Sequence, residues 1–205
     1  PPYKISLLDA MKERFGDNIH LSHISYNENN YKLMERAASE ADNIIFAVTA
    51  PHGGEGNDFD DLILRNDQSE MISKLAKINP NITVVLLTAG LPVNLHPWKD
   101  QVGAILASFY SGQSTGDAIL DILSGKVCPG GKLSFTWGEN LMDYSIHALN
   151  ALHPKRVSNE TYYSGRDPEK RKAVHLYSTE FKEGIFVGYR WFDQKSIEPD
   201  YAFGH

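Results

Sequence analysis

The chain has 205 residues, 41% of them hydrophobic and 22% charged, a balance that excludes wholesale disorder and allows a sizeable core in one large domain. Lys and Arg total 20 against 26 Asp and Glu, a net charge of −6, which argues against a general polyanion binder, and no nucleic-acid partner is expected. One cysteine, Cys128, rules out a disulfide framework within the chain and a multi-cysteine zinc site; no apolar run reaches the roughly 18 residues of a membrane span, so no membrane partner is expected.

In chain order, Lys4 to Phe15 carries apolar residues at helical period (Ile5, Leu8, Met11) and stops at Gly16. Ile19 to Ile24 alternates as a strand. Tyr31 to Ala41 is expected to be a helix with Leu33, Met34, Ala37 and Ala38 inward. Asn43 to Thr49 is a continuous apolar run, as for a strand covered on both faces. A glycine-rich loop, Pro51 to Asp61, follows. Then come a helix at Gln68 to Ile78, a buried strand at Thr83 to Leu87, a strand at Gly103 to Phe109, and a helix at Asp117 to Leu123 ending near Gly125. Leu133 to Trp137 is a further candidate strand. Residues 140–182 are polar and weakly periodic, a long surface excursion, and excursions of that length are often functional. Glu183 to Phe192 alternates again as a late strand. Strand and helix repeating in this way define an α/β fold: a doubly wound, mostly parallel six-stranded sheet with helices on both faces, one domain over residues 1–205. Ligands of such sheets sit outside the carboxyl ends of the strands, so the loops after Thr49, Leu87 and Phe109 are the ones to search. The chain starts Pro1-Pro2 without a leader-like segment and ends Phe203-Gly204-His205; a piece of something larger is expected.

The first of these loops reads His52-Gly53-Gly54-Glu55-Gly56-Asn57-Asp58-Phe59-Asp60-Asp61. A phosphate cradle is disfavoured, because the dinucleotide and P-loop glycine patterns are absent and the carboxylates would repel a phosphate. A calcium loop is disfavoured because the acidic spacing misses the EF-hand. A general acid remains: partial burial raises a carboxyl pKa enough for it to donate a proton. A solvated acidic turn is the bland alternative. A second candidate, Gly112-Gln113-Ser114-Thr115-Gly116, matches the G-x-S-x-G elbow of serine esterases of α/β-hydrolase type. Asp143 or Asp167 with His147, His153 or His175 would complete the chain order. The eight histidines form no H-E-x-x-H, and no metal site is expected. Tyr162-Tyr163 offers aromatic faces suited to a sugar ring, or a loop packing on itself. Asn81-Ile82-Thr83 and Asn159-Glu160-Thr161 are glycosylation sequons, the first running into a buried strand.

Several stretches then fall into one order. Gly54-Glu55-Gly56-Asn57-Asp58 with Leu62-Ile63-Leu64 resembles the E-G-x-D-R-x-x-L-x-L stretch of glycoside hydrolase family 3. Gly90-Leu91-Pro92-Val93 and Trp98 resemble its G-x-P-V and following Trp. Tyr110-Ser111-Gly112-Gln113 is similar to Y-P-G-Q, and Pro129-Gly130-Gly131-Lys132-Leu133 to P-S-G-K-L-P. Residues 183–190 match E-G-I-x-V-G-Y-R nearly letter for letter, and Phe203-Gly204-His205 resembles the F-G-H that follows. Three positions depart from the pattern: Phe59 stands where Arg is usual, Asn57 where an aromatic is common, and Arg65 where Pro is usual.

The resemblance implies the C-terminal α/β sandwich domain of a retaining β-glucosidase or β-xylosidase. This domain supplies the acid/base carboxylate and part of the outer sugar subsite. The implied partners are an N-terminal barrel domain of the same enzyme, which carries the nucleophile, and a β-linked oligosaccharide or aryl glycoside substrate. The chain by itself is then expected to be inactive. Carried over by position, Glu55 is the acid/base residue, with Asp58, His52, Trp98 and Tyr162 as candidate substrate-side residues. The family pattern also accounts for the glycines around Ser114, which weakens the esterase alternative; a non-catalytic carbohydrate-binding module is the other. No metal or organic cofactor is implied. A secreted or periplasmic setting is slightly favoured over a cytoplasmic one.

Overall fold

The computed structural model describes residues 3–49, 61–86, 90–149, 155–156, 162–164, 172–174, 177–178 and 180–205. The chain divides into two compact units, Pro1–Lys132 and Leu133–His205.

The first unit opens with helix α1 (Leu7–Phe15), started by a capping box. The Asp9 N–H donates to Ser6 Oγ at 3.1 Å and the Ser6 N–H donates to the Asp9 carboxylate at 3.4 Å, satisfying amide groups that a helix start leaves without partners. Gly16, at φ 49°, ends the helix. Residues 19–24 form no strand, correcting the expectation there: alternation gives a strand only when a neighbour completes the ladder, and His20, Ser22 and His23 lie exposed. Helix α2 (Tyr31–Glu40) buries Met34 and Ala38. Leu33 points away and is 52% exposed, because it lies one residue, a rotation of about 100°, from the inward row.

Strand β1 (Ile44–Val48), helix α3 (Gln68–Ile78) and strand β2 (Ile82–Leu86) follow, then strand β3 (Ala104–Ala107) and helix α4 (Thr115–Leu123). The three strands form a parallel sheet in the order β1-β2-β3, with Val48 opposite Leu86 and Leu86 opposite Ala107. Val84 and Val85 are both 0% exposed. Neighbouring strand residues face opposite ways, so β2 is covered on both sides, which is why it reads as an unbroken apolar run. Among the described residues the parallel sheet has three strands where six are expected. Helix α1 packs on α4 and α2 on α3. Asn79 ties the second pair together, its side-chain amide donating to the Ala38 and Ala41 carbonyls at 3.3 and 2.6 Å. Arg14 of α1 bridges Asp121 of α4 at 2.6 Å.

In the second unit, Leu133 to Trp137 is not a strand. It meets the chain end through one bridge, Trp137 to Tyr201, flanked by a bond from the Leu133 N–H to the His205 carbonyl at 3.2 Å. Among the described residues of the polar 140–182 stretch are a short helix, α5 (Ser145–Ala148), and two small antiparallel pairs. Strand β4 (Lys155–Arg156) pairs with β7 (Tyr177–Ser178), and β5 (Tyr162–Ser164) with β6 (Lys172–Val174). The expected late strand at 183–192 is instead a turn running into helix α6 (Tyr189–Lys195). Gly184 and Gly188 sit at φ 63° and 60°, a backbone no strand adopts. Trp191 and Phe192, adjacent in sequence, are both buried.

Candidate functional site

The carboxyl ends of β1, β2 and β3 lie side by side, as the parallel register requires. His52, Glu55 and Asp58 belong to the stretch after β1 and fall outside the described residues, as does most of the glycine-rich loop. What is described is the ground on which that stretch ends. The Asp61 carboxylate accepts the Ile63 N–H at 2.9 Å and is bridged by Arg65 at 3.0 Å. These two donors hold its carboxyl below the usual range, the Ile63 amide contributing most. The Leu62 carbonyl accepts the Asn94 N–H from the loop after β2 at 2.7 Å, and Leu64 is buried. Asn66 and Asp67 both take φ 55°. The Tyr26 hydroxyl donates to the Asn66 carbonyl at 2.5 Å and lies 3.1 Å from the Tyr31 hydroxyl. Burial, and then the Tyr31 contact, push the Tyr26 phenol upward. The exit from the acidic loop is therefore shaped locally by the Asp61 carboxylate, which holds both Ile63 and Arg65, and tied to the rest of the unit by the Asn94 and Tyr26 bonds. Arg65, where Pro is usual in the resembling pattern, supplies a cation beside the acidic run that lacks an Arg at Phe59.

After β2, Leu91 is 45% exposed while Val93, Leu95 and Trp98 turn inward. Trp98 is 0% exposed, so its indole is part of the core and presents no face to a sugar; its Nε1 has no hydrogen-bond partner among the described residues. After β3, Phe109 takes φ 51° and Tyr110 is 66% exposed. The pattern around Tyr110 was visible in the sequence, but its exposure was not.

Ser114 does not have the geometry of an esterase nucleophile. It has φ −97° and ψ 27°, not the strained turn that exposes such a serine. Gly116 has a packing reason instead, since a Cβ there would lie 2.3 Å from the Ser6 carbonyl oxygen. Of the proposed triad partners, Asp143 and His147 belong to the second unit, and His153, Asp167 and His175 fall outside the described residues. Tyr162 is the first residue of β5, opposite Val174. Among the described residues no group of three or more His, Cys, Asp or Glu gathers as a metal centre, and no helix is long and apolar enough to cross a membrane.

The fold and this edge define an α/β domain whose parallel strands end in an acidic loop and an aromatic loop. The chain belongs to glycosyl hydrolase family 3: the family model for the C-terminal domain matches residues 1–189. It is 32% identical over 199 residues to thermostable beta-glucosidase B of Acetivibrio thermocellus, covering 96% of this chain and 23% of that protein. It is 39% identical over 150 residues to a beta-glucosidase of Rhizobium radiobacter, covering 73% of this chain and 16% of that protein. The crystal structure of the Bifidobacterium adolescentis GH3 beta-glucosidase superposes with a TM-score of 0.75 at 27% identity, over 100% of this chain and 28% of that one. The chain thus spans between 16% and 28% of the length of these relatives.

Proposed function

We propose that this chain is the acid/base-bearing domain of a retaining β-glycosidase acting on β-linked glucosides, with Glu55 as the acid/base residue. The observation that carries the reading is the family match over a chain whose E-G-x-D segment follows the first strand of a parallel sheet. The loop beyond the carboxyl end of such a strand is where a catalytic carboxylate is best aimed into a cleft. The names of the relatives, beta-glucosidases, supply the substrate class.

The chemistry takes two steps. Glu55, protonated, gives its proton to the leaving glycosidic oxygen while a carboxylate of the barrel domain attacks the anomeric carbon. Glu55, now ionised, then takes a proton from the water that releases the sugar. The two carboxyl groups stand about 5–5.5 Å apart in a retaining site. The nucleophile comes from the partner domain, so the isolated chain does not turn over glycosides. His52, Asp58 and Tyr162 are assigned to the outer side of the site, and a doubly wound six-stranded sheet to this domain.

Glu55→Gln in the complete enzyme tests the role. An aryl glucoside with a strongly acidic leaving group needs no proton, so its first step persists. A poor leaving group such as an alcohol or a second sugar loses about 10²–10⁴-fold. Equal losses in kcat/KM, which reports the first step, on both substrates would count against the assignment.

A further inference from the structure

We propose that Tyr110 is the aromatic platform on which the leaving-group sugar, the aglycone, stacks. The proposal rests on the acid/base reading of the loop after β1 and names a binding residue for that same site.

Three features of the described residues converge on it. The first is the exposure of the ring. Tyr110 stands in the loop after β3, and at 66% it is among the most exposed large side chains of the first unit. The second is how its hydroxyl end is seated. The tip of the ring lies against Gly90, in the loop after β2. A Cβ at Gly90 would fall 2.6 Å from the Tyr110 hydroxyl and 2.8 Å from Cε2. Gly90 has no positive φ to require glycine; what glycine provides there is a bare backbone on which the ring rests. The third is the turn that presents it. Phe109 takes φ 51°, costly for a bulky L-residue, and Gly112 follows at φ 84°. The backbone accepts strain immediately before the residue it displays.

Position supplies the ligand. Strands of a sheet lie about 4.8 Å apart, so with β2 between them the ends of β1 and β3 are about 10 Å apart. A proton donor on the β1 loop acts at the glycosidic oxygen, and the group beyond that oxygen reaches toward the β3 loop. A pyranose ring has an apolar face of C–H groups and polar hydroxyls at its rim. An exposed aromatic ring held at its tip offers the flat apolar surface on which such a face stacks.

The test uses the complete enzyme with Tyr110→Ala, Tyr110→Phe and Gly90→Ala. The substrates are cellobiose, an aryl β-glucoside and β-glucosyl fluoride, whose leaving group has no ring to stack. Tyr110→Ala is expected to raise KM for cellobiose about tenfold (~1.4 kcal/mol). It is also expected to lower transfer to an added sugar acceptor by a similar factor, with kcat/KM for the fluoride held within about twofold. Tyr110→Phe keeps most of the effect, and Gly90→Ala loses part of it because its Cβ lifts the ring. Equal effects on all three substrates, or none on cellobiose and acceptor transfer, overturn the platform. Azide rescue of Glu55→Gly, run alongside, separates the two claims. Failed rescue with the Tyr110 pattern intact overturns the Glu55 assignment alone. Successful rescue without the pattern overturns the platform alone.

Discussion

Gly116→Ala puts the packing of the first unit at risk, and its cost can be worked from the contacts. A Cβ on Gly116 would lie 2.3 Å from the Ser6 carbonyl oxygen, 2.4 Å from the Ser6 carbonyl carbon and 2.8 Å from the Ile5 oxygen. All three are backbone atoms, and comfortable separation is about 3.5 Å. The segment before α1 must therefore retreat by about 1 Å. That movement strains the bonds that tie it to α4, from the Gly116 N–H to the Ile5 carbonyl at 3.1 Å and from the Ile5 N–H to the Gln113 carbonyl at 3.0 Å. Overpacking costs about 1–3 kcal/mol and each weakened bond about 1 kcal/mol. The gain from Ala over Gly within a helix offsets about 1 kcal/mol. The net expectation is about 2–4 kcal/mol of destabilisation, a drop in Tm of about 4–16 °C for a chain of this size. Gly130→Ala is the control, since nothing lies within 4 Å of a Cβ there and a change within about 0.5 kcal/mol is expected. Thermal unfolding followed by circular dichroism measures both. A Tm for Gly116→Ala at or above the parent value would refute the reasoning, because helix propensity would then outweigh the backbone overlap.

Three further predictions follow from the geometry. Trp98→Ala should lower stability by about 3–5 kcal/mol, read in urea unfolding; unchanged stability with a raised KM would instead make Trp98 a sugar contact. Asp61 should titrate below the ordinary Asp value of 3.8 because the Ile63 amide and Arg65 favour its ionised form. Its stabilising contribution is then complete above about pH 4 and is lost as pH falls through the depressed midpoint. Arg65→Met should move that midpoint upward in a carboxyl NMR titration, and an unmoved midpoint would remove the bridge from the account. Ser114→Ala should leave glycoside hydrolysis by the complete enzyme unchanged, with no fluorophosphonate labelling of the parent at Ser114; labelling that this substitution abolishes would restore the esterase reading.

How much of this was legible beforehand depended on whether the relevant contact was local. The runs at 43–49 and 83–87 announced themselves as strands because a covered parallel strand is apolar on both faces, and β2 shows this in Val84 and Val85. Helix α3 was legible to the residue, with Met71, Ile72, Leu75 and Ala76 on one buried face. The failures at 19–24, 133–137 and 183–192 share a cause: alternation says which side chains could share a face, not whether a neighbouring strand arrives. In the last stretch the positive φ of Gly184 and Gly188 decided the matter. At the site, motif order singled out Glu55. The Asp61–Arg65 bridge was not legible, because a spacing of four residues pairs side chains on a helix and residues 61–65 form none. Tyr110 was hidden for a different reason. Its role depends on Gly90, on the loop of the neighbouring strand, and pairing of that kind leaves no local pattern.

The central claim is that Glu55 moves the proton, and chemical rescue tests it most directly. In the complete enzyme carrying Glu55→Gly, hydrolysis of an activated aryl β-glucoside should stall after the first step, with the sugar held on the nucleophile. Added azide, which needs no base, should restore turnover and release β-glucosyl azide. No rescue, or parent-like rates without azide on substrates with poor leaving groups, would contradict the account.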